Sequence, residues 1–165
     1  MTVKEVLSKH PFFKEFNDSQ LNRIAEGSSF IQFNAGQFIF KEGEDARQFY
    51  LILNGMVSLE VHVPNRGPVN IERIDAQDVL GWSWLYPPHR WHFDARAEEE
   101  ITALNIDGKF LLKMIEEDHE IGFNVMRRIA MVMEHRLQST RLKLMQVYDI
   151  YKEPVLERQK WQSLL

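Results

Sequence analysis

Three histidines and one aspartate carry the kinds of side chain that most often bind a catalytic metal ion. His89, His92 and Asp94 lie close together in the chain, and His62 lies on a strand-like segment. Imidazole and carboxylate ligands suit iron or manganese. The spacing is poor, because His92 and Asp94 can share a strand face whereas His89 belongs to a loop that begins with two prolines. We therefore expect no metal site and no metal-dependent catalysis.

The same stretch carries aromatic and cationic side chains with a different chemistry. The aromatic residues are Trp82, Trp84 and Trp91. Their rings offer faces on which a ligand ring can stack, although tryptophans near the rim of a β domain also fill its core. Arg90 can bind an anion, but a lone loop arginine is commonly just exposed. Arg96 lies two residues after Asp94, so on a strand the two would share a face and form an ion pair.

Composition limits what these residues can do. The chain has 165 residues, with 20 Lys and Arg against 24 Asp and Glu, and no cysteine. The lack of cysteine excludes disulfide scaffolds, cysteine nucleophiles and Cys-ligated clusters, and it favours a cytoplasmic setting. A net charge of −4 argues against a surface that binds nucleic acid throughout. No apolar stretch is long enough for a signal peptide or a membrane span, so we expect one cytoplasmic globular domain.

The elements that must position the candidate residues change in kind along the chain. Residues 3–27 predict two short helices around an aromatic turn, with a helix cap in the triplet Asn17–Ser19 and a stop at Gly27. Residues 30–105 consist of short β-branched and aromatic runs separated by glycine turns. That pattern is typical of an antiparallel sandwich or barrel.

Two features of the β region predict pairing and burial. The dipeptide Asn54–Gly55 separates two strand-like runs, which predicts a tight hairpin with positive φ at both positions. The next run, 57–63, alternates apolar with polar residues. We expect its polar members, Ser58, Glu60 and His62, to face water.

The last part of the chain predicts helices. Asp107 can cap a helix over 109–117, and a longer helix is predicted from about Glu120 to Tyr151. The apolar residues of the long helix recur at spacings of 4, 3, 4, 3, 4, 3 and 4, with one polar member. This stripe consists of Met126, Ala130, Met133, Leu137, Thr140, Leu144, Val147 and Tyr151. Such a heptad pattern is typical of a helix that pairs with another helix.

The long helix has two candidate partners. It can pack along its own β domain, which requires a wider apolar stripe, and residues near its start supply one. These residues are Ile121, Phe123, Val125 and Ile129. We expect the proximal part to dock on the domain and the distal part to form a parallel homodimer.

One glycine-rich stretch, together with the order of elements, carries a family resemblance. Residues 36–46 read GQFIFKEGEDA and residues 49–57 read FYLILNGMV, with glycines at 36, 43 and 55. Placed between N-terminal helices and a long helix, this text resembles the cyclic nucleotide-binding domain of the catabolite activator protein superfamily. The resemblance implies an α+β fold: an antiparallel, jelly-roll-like β-roll (a double-stranded β-helix) with N-terminal helices and a long C-terminal dimerisation helix.

In that family a phosphate-binding cassette holds the ligand. It reads Gly-Glu-hydrophobic-small-Leu at the start of a short helix, whose backbone N–H groups receive the phosphate, and an arginine follows after a loop. Here Gly81 and Leu85 fit the pattern, and Trp82 stands at the position of the glutamate. Trp91 falls at the position of the arginine, and Arg90 takes that position only if the loop shifts by one residue. The implied ligand is a small anion such as cAMP or cGMP. Its implied contacts are Gly81, Trp82, Ser83, Arg90 and Trp91.

The long helix adds one ligand candidate. Residues 136–141, RLQSTR, are similar to the catabolite activator run Arg-Leu-Gln-x-Thr-Ser, whose threonine reaches the adenine. The resemblance therefore places Thr140 at the ligand. The alternative is a hydrogen bond from its hydroxyl group to the carbonyl of Arg136.

Together these patterns predict a non-enzymatic sensor domain over residues 1–151, without a cofactor. The tail, 152–165, is too short for a helix-turn-helix, so we expect no direct DNA binding. Ligand binding would bias a helix-mediated homodimer that signals to a partner protein. Two alternatives stand. One is a degenerate domain that only dimerises or binds a protein. The other, which the poor spacing of the histidines disfavours, is a metalloenzyme, because a β-roll also resembles the cupin barrel.

Overall fold

The computed structural model describes residues 1–148, and the chain begins as its sequence predicts. Helices α1 (Val3–Lys9) and α2 (Asp18–Glu26) flank a 3-10 turn at Pro11–Phe13. Asn17 caps α2 through a reciprocal capping box, which satisfies backbone N–H groups that the first turn leaves without partners.

Eight strands follow within the described residues. They are β1 (Ser28–Phe33), β2 (Phe38–Phe40), β3 (Gln48–Asn54), β4 (Val57–Val63), β5 (Gly67–Ile74), β6 (Val79–Leu80), β7 (Asp94–Ala97) and β8 (Ile101–Asp107). They form two four-stranded sheets with the orders β1-β8-β3-β6 and β2-β7-β4-β5. All of the pairs are antiparallel. The predicted antiparallel β-roll with helices at both ends is confirmed.

The chain crosses from one sheet to the other at Asn54–Gly55, so the hairpin predicted there is wrong. Strand β3 pairs with β6 and β8, whereas β4 pairs with β5 and β7. Gly55 has a φ of +90°, but Asn54 ends β3 without a positive φ. An Asn-Gly dipeptide specifies a change of direction, and strand pairing depends on partners distant in sequence. A true hairpin joins β4 to β5 through a turn in which Asn65 has a φ of 64°.

Strand β3 is covered on both faces, which explains its continuous apolar run. Phe49 packs against Phe12 of the N-terminal turn, with 5.1 Å between ring centroids. The next residue, Tyr50, packs against Phe40 of the opposite sheet at 6.4 Å. Successive side chains of a strand point to opposite faces, so the core extends from between the sheets to the N-terminal helices.

Two helices end the described part of the chain. Helix α3 (Gly108–Glu117) begins at the predicted cap Asp107. Helix α4 (His119–Val147) begins at Asp118, whose carboxylate accepts hydrogen bonds from two backbone N–H groups. Among the residues that the structure describes, no helix is both long and apolar enough to cross a bilayer.

The first half of α4 packs on the domain. Ile121, Val125 and Ile129 are buried as predicted, whereas Phe123, which was predicted to join them, is 65% exposed. Two residues along a helix correspond to about 200° of rotation, so Phe123 lies on the side opposite to both of its buried neighbours. The docking face is therefore narrower than the sequence suggested.

The heptad stripe of α4 faces away from the domain along most of its length. Its exposed apolar members are Met126 (48% exposed), Met133 (41%), Leu137 (67%), Leu144 (54%) and Val147 (79%). Ala130 and Thr140 are also exposed, whereas Tyr151 and the tail 152–165 lie outside the described residues. The described members of the stripe are therefore left exposed in the monomer.

The crossing at Gly55 yields the first testable prediction. A Cβ atom at Gly55 would lie 2.5 Å from the carbonyl oxygen of Glu100, whereas one at Gly36, with a φ of +81°, would meet nothing within 4 Å. Left-handed backbone alone costs an L-residue roughly 1–2 kcal/mol. We expect Gly36→Ala to lose about that much unfolding free energy and Gly55→Ala at least about 1 kcal/mol more, measured by urea denaturation. Equal losses would show that the contact with Glu100 is not a constraint.

Candidate ligand-binding site

A cavity of about 500 Å³ lies between the β4–β5 side of the roll, the segment 80–93 and α4. Its described lining residues are Phe40, Leu59, Val61, Ile71, Glu72, Leu80, Gly81, Trp82, Ser83, Trp91, His92, Phe93, Arg136, Leu137 and Thr140. Small-molecule sites typically have volumes of about 300–1,000 Å³ and mostly apolar walls with a few polar groups. In size and in lining this cavity has the character of such a site.

Most of the residues predicted to contact a ligand meet at this cavity. Its walls include Gly81, Trp82, Ser83, Trp91 and Thr140. The first four follow strand β6, whereas Thr140 comes from α4, so the fold assembles the set. The remaining candidate, Arg90, is not among the described lining residues.

Gly81 allows the chain to turn closely beneath Trp91. It has a φ of +80°, and a Cβ atom there would lie 2.7 Å from the indole ring of Trp91. The indole N–H of Trp84 donates to the Gly81 carbonyl at 3.0 Å and closes the short 3-10 turn Ser83–Leu85. Glycine is required at this position because both the backbone conformation and the ring exclude a side chain.

Arg90 and Trp91 point to different environments because the segment that carries them is extended. Trp91 N–H donates to the carbonyl of Glu44 at 3.0 Å, and the Trp91 carbonyl accepts from Gly43 N–H at 2.9 Å. This pairing directs Trp91 to the cavity. Arg90 is left outside, where its guanidinium donates to the Gly43 carbonyl at 2.7 Å and lies 3.4 Å from Asp45.

The electrostatics around Asp45 show how Arg90 is used. A hydrogen bond from Arg47 and the charge of Arg90 lower the pKa of the Asp45 carboxyl. The Arg90 side chain is 56% exposed and the Asp45 side chain 49% exposed. Arg90 therefore holds the loop at the surface through an ion pair with Asp45, whose attraction is screened by water.

The three tryptophans have three environments. Trp84 belongs to the core, where its ring lies 5.8 Å from that of Phe49. Trp91 is also buried, stacked on Phe40 with 3.9 Å between centroids and 13° between planes, and it forms part of the cavity wall. Trp82 is half-buried and lies beneath the guanidinium of Arg136 at 4.6 Å. The sequence left open whether the tryptophans fill the core or present their rings to a ligand. Trp84 fills the core, Trp82 lines the cavity, and Trp91 does both.

Arg136 and Glu72 are cavity residues that the sequence interpretation did not select. The Arg136 guanidinium bonds the carbonyl of Val79 and lies 4.0 Å from the Glu72 carboxylate. It thereby links α4 to the roll. The spacing in the sequence indicates the role of Arg136, because it lies one helical turn before Thr140 and so shares a helix face with it.

Thr140 makes the local hydrogen bond that was its alternative role. Its hydroxyl donates to the Arg136 carbonyl at 2.8 Å, and the side chain also lines the cavity. With its proton used within the helix, the oxygen keeps lone pairs that can accept from a ligand.

Beside the cavity, two expectations about strand β4 and its neighbour are wrong. Arg96 pairs with Glu60, at 2.5 and 3.1 Å, and not with Asp94, which accepts from the backbone N–H of Glu42. Ser58 and Glu60 are buried. The Glu60 carboxylate accepts a hydrogen bond from the Ser58 hydroxyl at 3.0 Å, and the Arg96 guanidinium neutralises the charge of that carboxylate. The hydrogen bond to Glu60 raises the pKa of Arg96. A paired carboxylate can be buried where an unpaired one cannot.

The histidines do not form a metal cluster within the described chain. In residues 1–148, no three His, Asp or Glu side chains are grouped closely enough to hold a metal ion. His89 bonds the carbonyl of Trp84 through Nδ1 at 2.9 Å, and His92 lies beside Phe93 at the rim of the cavity.

The fold and the cavity together define the class: β-roll domains with a site between the roll and a C-terminal helix. The sequence profile of the cyclic nucleotide-binding domain family matches residues 30–118, which is more than half of the chain. The chain therefore belongs to the cyclic nucleotide-binding domain family, a family of regulatory domains.

Relatives support this assignment. The CRP-like cAMP-activated global transcriptional regulator of Mycobacterium tuberculosis is 23% identical over 128 residues, which are 78% of this chain and 57% of that protein. This chain thus spans little more than half the length of that curated relative. A Geobacter metallireducens structure named for cyclic nucleotide binding is 29% identical, has a TM-score of 0.75 and covers 83% of this chain and 99% of its own. A cyclic nucleotide-binding domain from Methylobacillus flagellatus shares the fold, with a TM-score of 0.73, 15% identity and coverage of 93% and 85%.

The burial of Glu60 yields a prediction for the structure beside the site. Removing one partner of a buried ion pair costs roughly 3–5 kcal/mol, and the 41% exposure of Arg96 reduces that cost. We expect Arg96→Met to lower the free energy of unfolding by about 2 kcal/mol in chemical denaturation. Arg73→Met, which removes a more exposed pair with Glu98, should cost less than about 1 kcal/mol. Similar losses for the two variants would mean that Glu60 does not depend on Arg96.

Proposed function

We propose that this chain is a non-enzymatic sensor domain that binds a small anionic molecule in the cavity between the roll and α4. One observation carries the proposal: the cassette segment and α4 line a single cavity of about 500 Å³. The family assignment supports it, since the name of the Mycobacterium tuberculosis relative describes a protein activated by cAMP. Cyclic AMP and cyclic GMP are therefore the first ligands to test.

The proposed ligand contacts are the cavity-lining residues Gly81, Trp82, Ser83, Trp91 and Thr140. We assign the anion to Arg136, because it is the cation among the described lining residues and Arg90 contacts Gly43 and Asp45 instead. A ligand carboxylate or phosphate would share the guanidinium with Glu72, which lies 4.0 Å away.

Helix α4 is the proposed route from ligand to output. It presents Arg136, Leu137 and Thr140 to the cavity, and Leu137 and Thr140 also belong to the exposed heptad stripe. A ligand that favours one packing of α4 on the roll would also favour one arrangement of a homodimer built on that stripe. We propose a domain over residues 1–151 that passes its state to a partner protein in the cytoplasm. The net charge of −4 does not favour direct contact with DNA.

The alternative is a domain that only dimerises or binds a partner. It is favoured by the aromatic residues of the cassette, since Trp91 and Phe40 stack at 3.9 Å where the family resemblance calls for an arginine. The two functions differ in whether the cavity takes up a ligand.

Isothermal titration with cAMP and cGMP tests the sensor. We expect saturable binding, and Arg136→Gln should weaken it roughly tenfold or more because a charge-assisted hydrogen bond is lost. Arg90→Ala is the matched control and should leave the affinity unchanged. If neither nucleotide releases heat, the cyclic-nucleotide version of the proposal is wrong. If Arg90→Ala weakens binding as much as Arg136→Gln, the assignment of the anion to Arg136 is wrong.

Sedimentation equilibrium tests the dimer. Leu144→Glu places a charge on the 54%-exposed stripe at a position that does not line the cavity, so it should convert dimers to monomers. Leu137→Glu should do the same while also altering the cavity. Gln138→Glu adds the same charge at an exposed position off the stripe and should leave the mass unchanged. A constant mass for all three variants would exclude the seam.

A further inference from the structure

The residues that line the cavity fall into two sets that differ in polarity. The cassette segment 80–93 contributes aromatic and apolar walls, and the described lining residues from that segment include no Lys, Arg, Asp or Glu. Its polar members are Ser83 and the exposed His92. The charged lining residues, Glu72 and Arg136, come from β5 and α4.

This arrangement is the reverse of the cassette that the family resemblance describes. In the family cassette a glutamate pairs with the ribose and an arginine pairs with the phosphate. Here Trp82 and Trp91 stand at those positions. With its phosphodiester at Arg136, a cyclic nucleotide would place the fused ribose against Trp82, whose ring lies 4.6 Å from that guanidinium. An indole ring offers no acceptor to the ribose hydroxyl, and an unpaired polar group weakens binding.

Neighbouring groups hold both rings in place. Phe40 stacks on one face of Trp91 with 13° between the planes, and Arg136 lies over the Trp82 ring. Held rings lose little conformational freedom when a ligand binds, and a further aromatic ring gains from stacking or edge contact with them. The wall that Trp82 and Trp91 form is therefore preorganised for a flat apolar group.

The charged pair of the lining, Glu72 and Arg136, favours a ligand with a single negative charge. The Glu72 carboxylate lies 4.0 Å from the Arg136 guanidinium and compensates much of its charge. One ligand carboxylate would share the guanidinium with Glu72, whereas a more highly charged group would be repelled more strongly by the Glu72 carboxylate.

We propose that the preferred ligand is a planar aromatic ring system with one carboxylate, its ring against Trp82 and Trp91 and its carboxylate at Arg136. This inference rests on the proposed function and specifies the ligand class of the same site. Such a ligand binds more tightly than a cyclic nucleotide, because it places no sugar against the rings.

Competitive titration tests the ranking with 1-naphthoate and cAMP as probes, followed by calorimetry and by tryptophan fluorescence. The wild-type protein should bind 1-naphthoate at least tenfold more tightly than cAMP. The uncharged 1-naphthalenemethanol should bind at least tenfold more weakly than 1-naphthoate, because it lacks the partner of Arg136.

A matched pair of variants tests the role of the aromatic wall. Trp82→Phe keeps a ring and should preserve the preference for 1-naphthoate. Trp82→Glu supplies the carboxylate found at this position in the family cassette, and it should shift the ratio of the two affinities at least tenfold toward cAMP. Circular dichroism establishes that the variants are folded, and the ranking in the wild-type protein needs no variant.

The outcomes separate this inference from the proposed function. If cAMP binds as tightly as 1-naphthoate or more tightly, or if Trp82→Glu leaves the affinity ratio unchanged, the ligand class is wrong while a sensor of small anions stands. Binding of 1-naphthoate without cAMP supports the ligand class and removes only the cyclic-nucleotide version of the sensor. If neither probe binds, the aromatic-carboxylate class is overturned and the purely dimerising alternative is favoured.

Discussion

Backbone hydrogen bonds between two loops determine the character of the cavity. Gly43 and Glu44 bond the main chain of Trp91, and Ala46 N–H donates to the carbonyl of His89 at 2.7 Å. These bonds hold the segment in an extended conformation in which neighbouring side chains point in different directions. Trp91 therefore faces the cavity and Arg90 faces solvent. An indole ring and not a cation lies in the cavity wall as a result of this pairing, and the aromatic stack of Trp91 on Phe40 depends on it.

Helix α4 connects that cavity to the outer surface of the molecule. Arg136 bonds the Val79 carbonyl and lies beside Glu72 and Trp82, so one side chain joins the helix to three parts of the roll. Its neighbour Leu137 lines the cavity and is also 67% exposed on the heptad stripe. A change at the ligand site and a change at the stripe would therefore act on the same turn of helix. In the proposed dimer, that geometry would couple a ligand to assembly.

The molecule has the scaffold of its family. The glycines at 36, 43, 55 and 81 all have positive φ, and they preserve the turns on which the roll depends. The neighbours of Gly81 in the cavity wall, Trp82 and Trp91, do not have a positive φ, so their side chains are not restricted in this way. Fold and ligand chemistry are thus set by different residues, and shared fold does not transfer a ligand.

The sequence alone determined the element types and most of their order. Asn17, Asp107 and the glycine turns act through contacts a few residues away, and the heptad spacing of α4 is a property of one helix, so these features can be inferred locally. Only the tertiary structure decided the rest. Asn54–Gly55 joins strands of different sheets, Glu60 is buried because Arg96 reaches it from 36 residues away, and Arg136 lies in the cavity because the fold brings α4 to strand β5. Pairing register, burial of charge and the composition of a cavity depend on contacts between residues far apart in the chain, which no local pattern specifies.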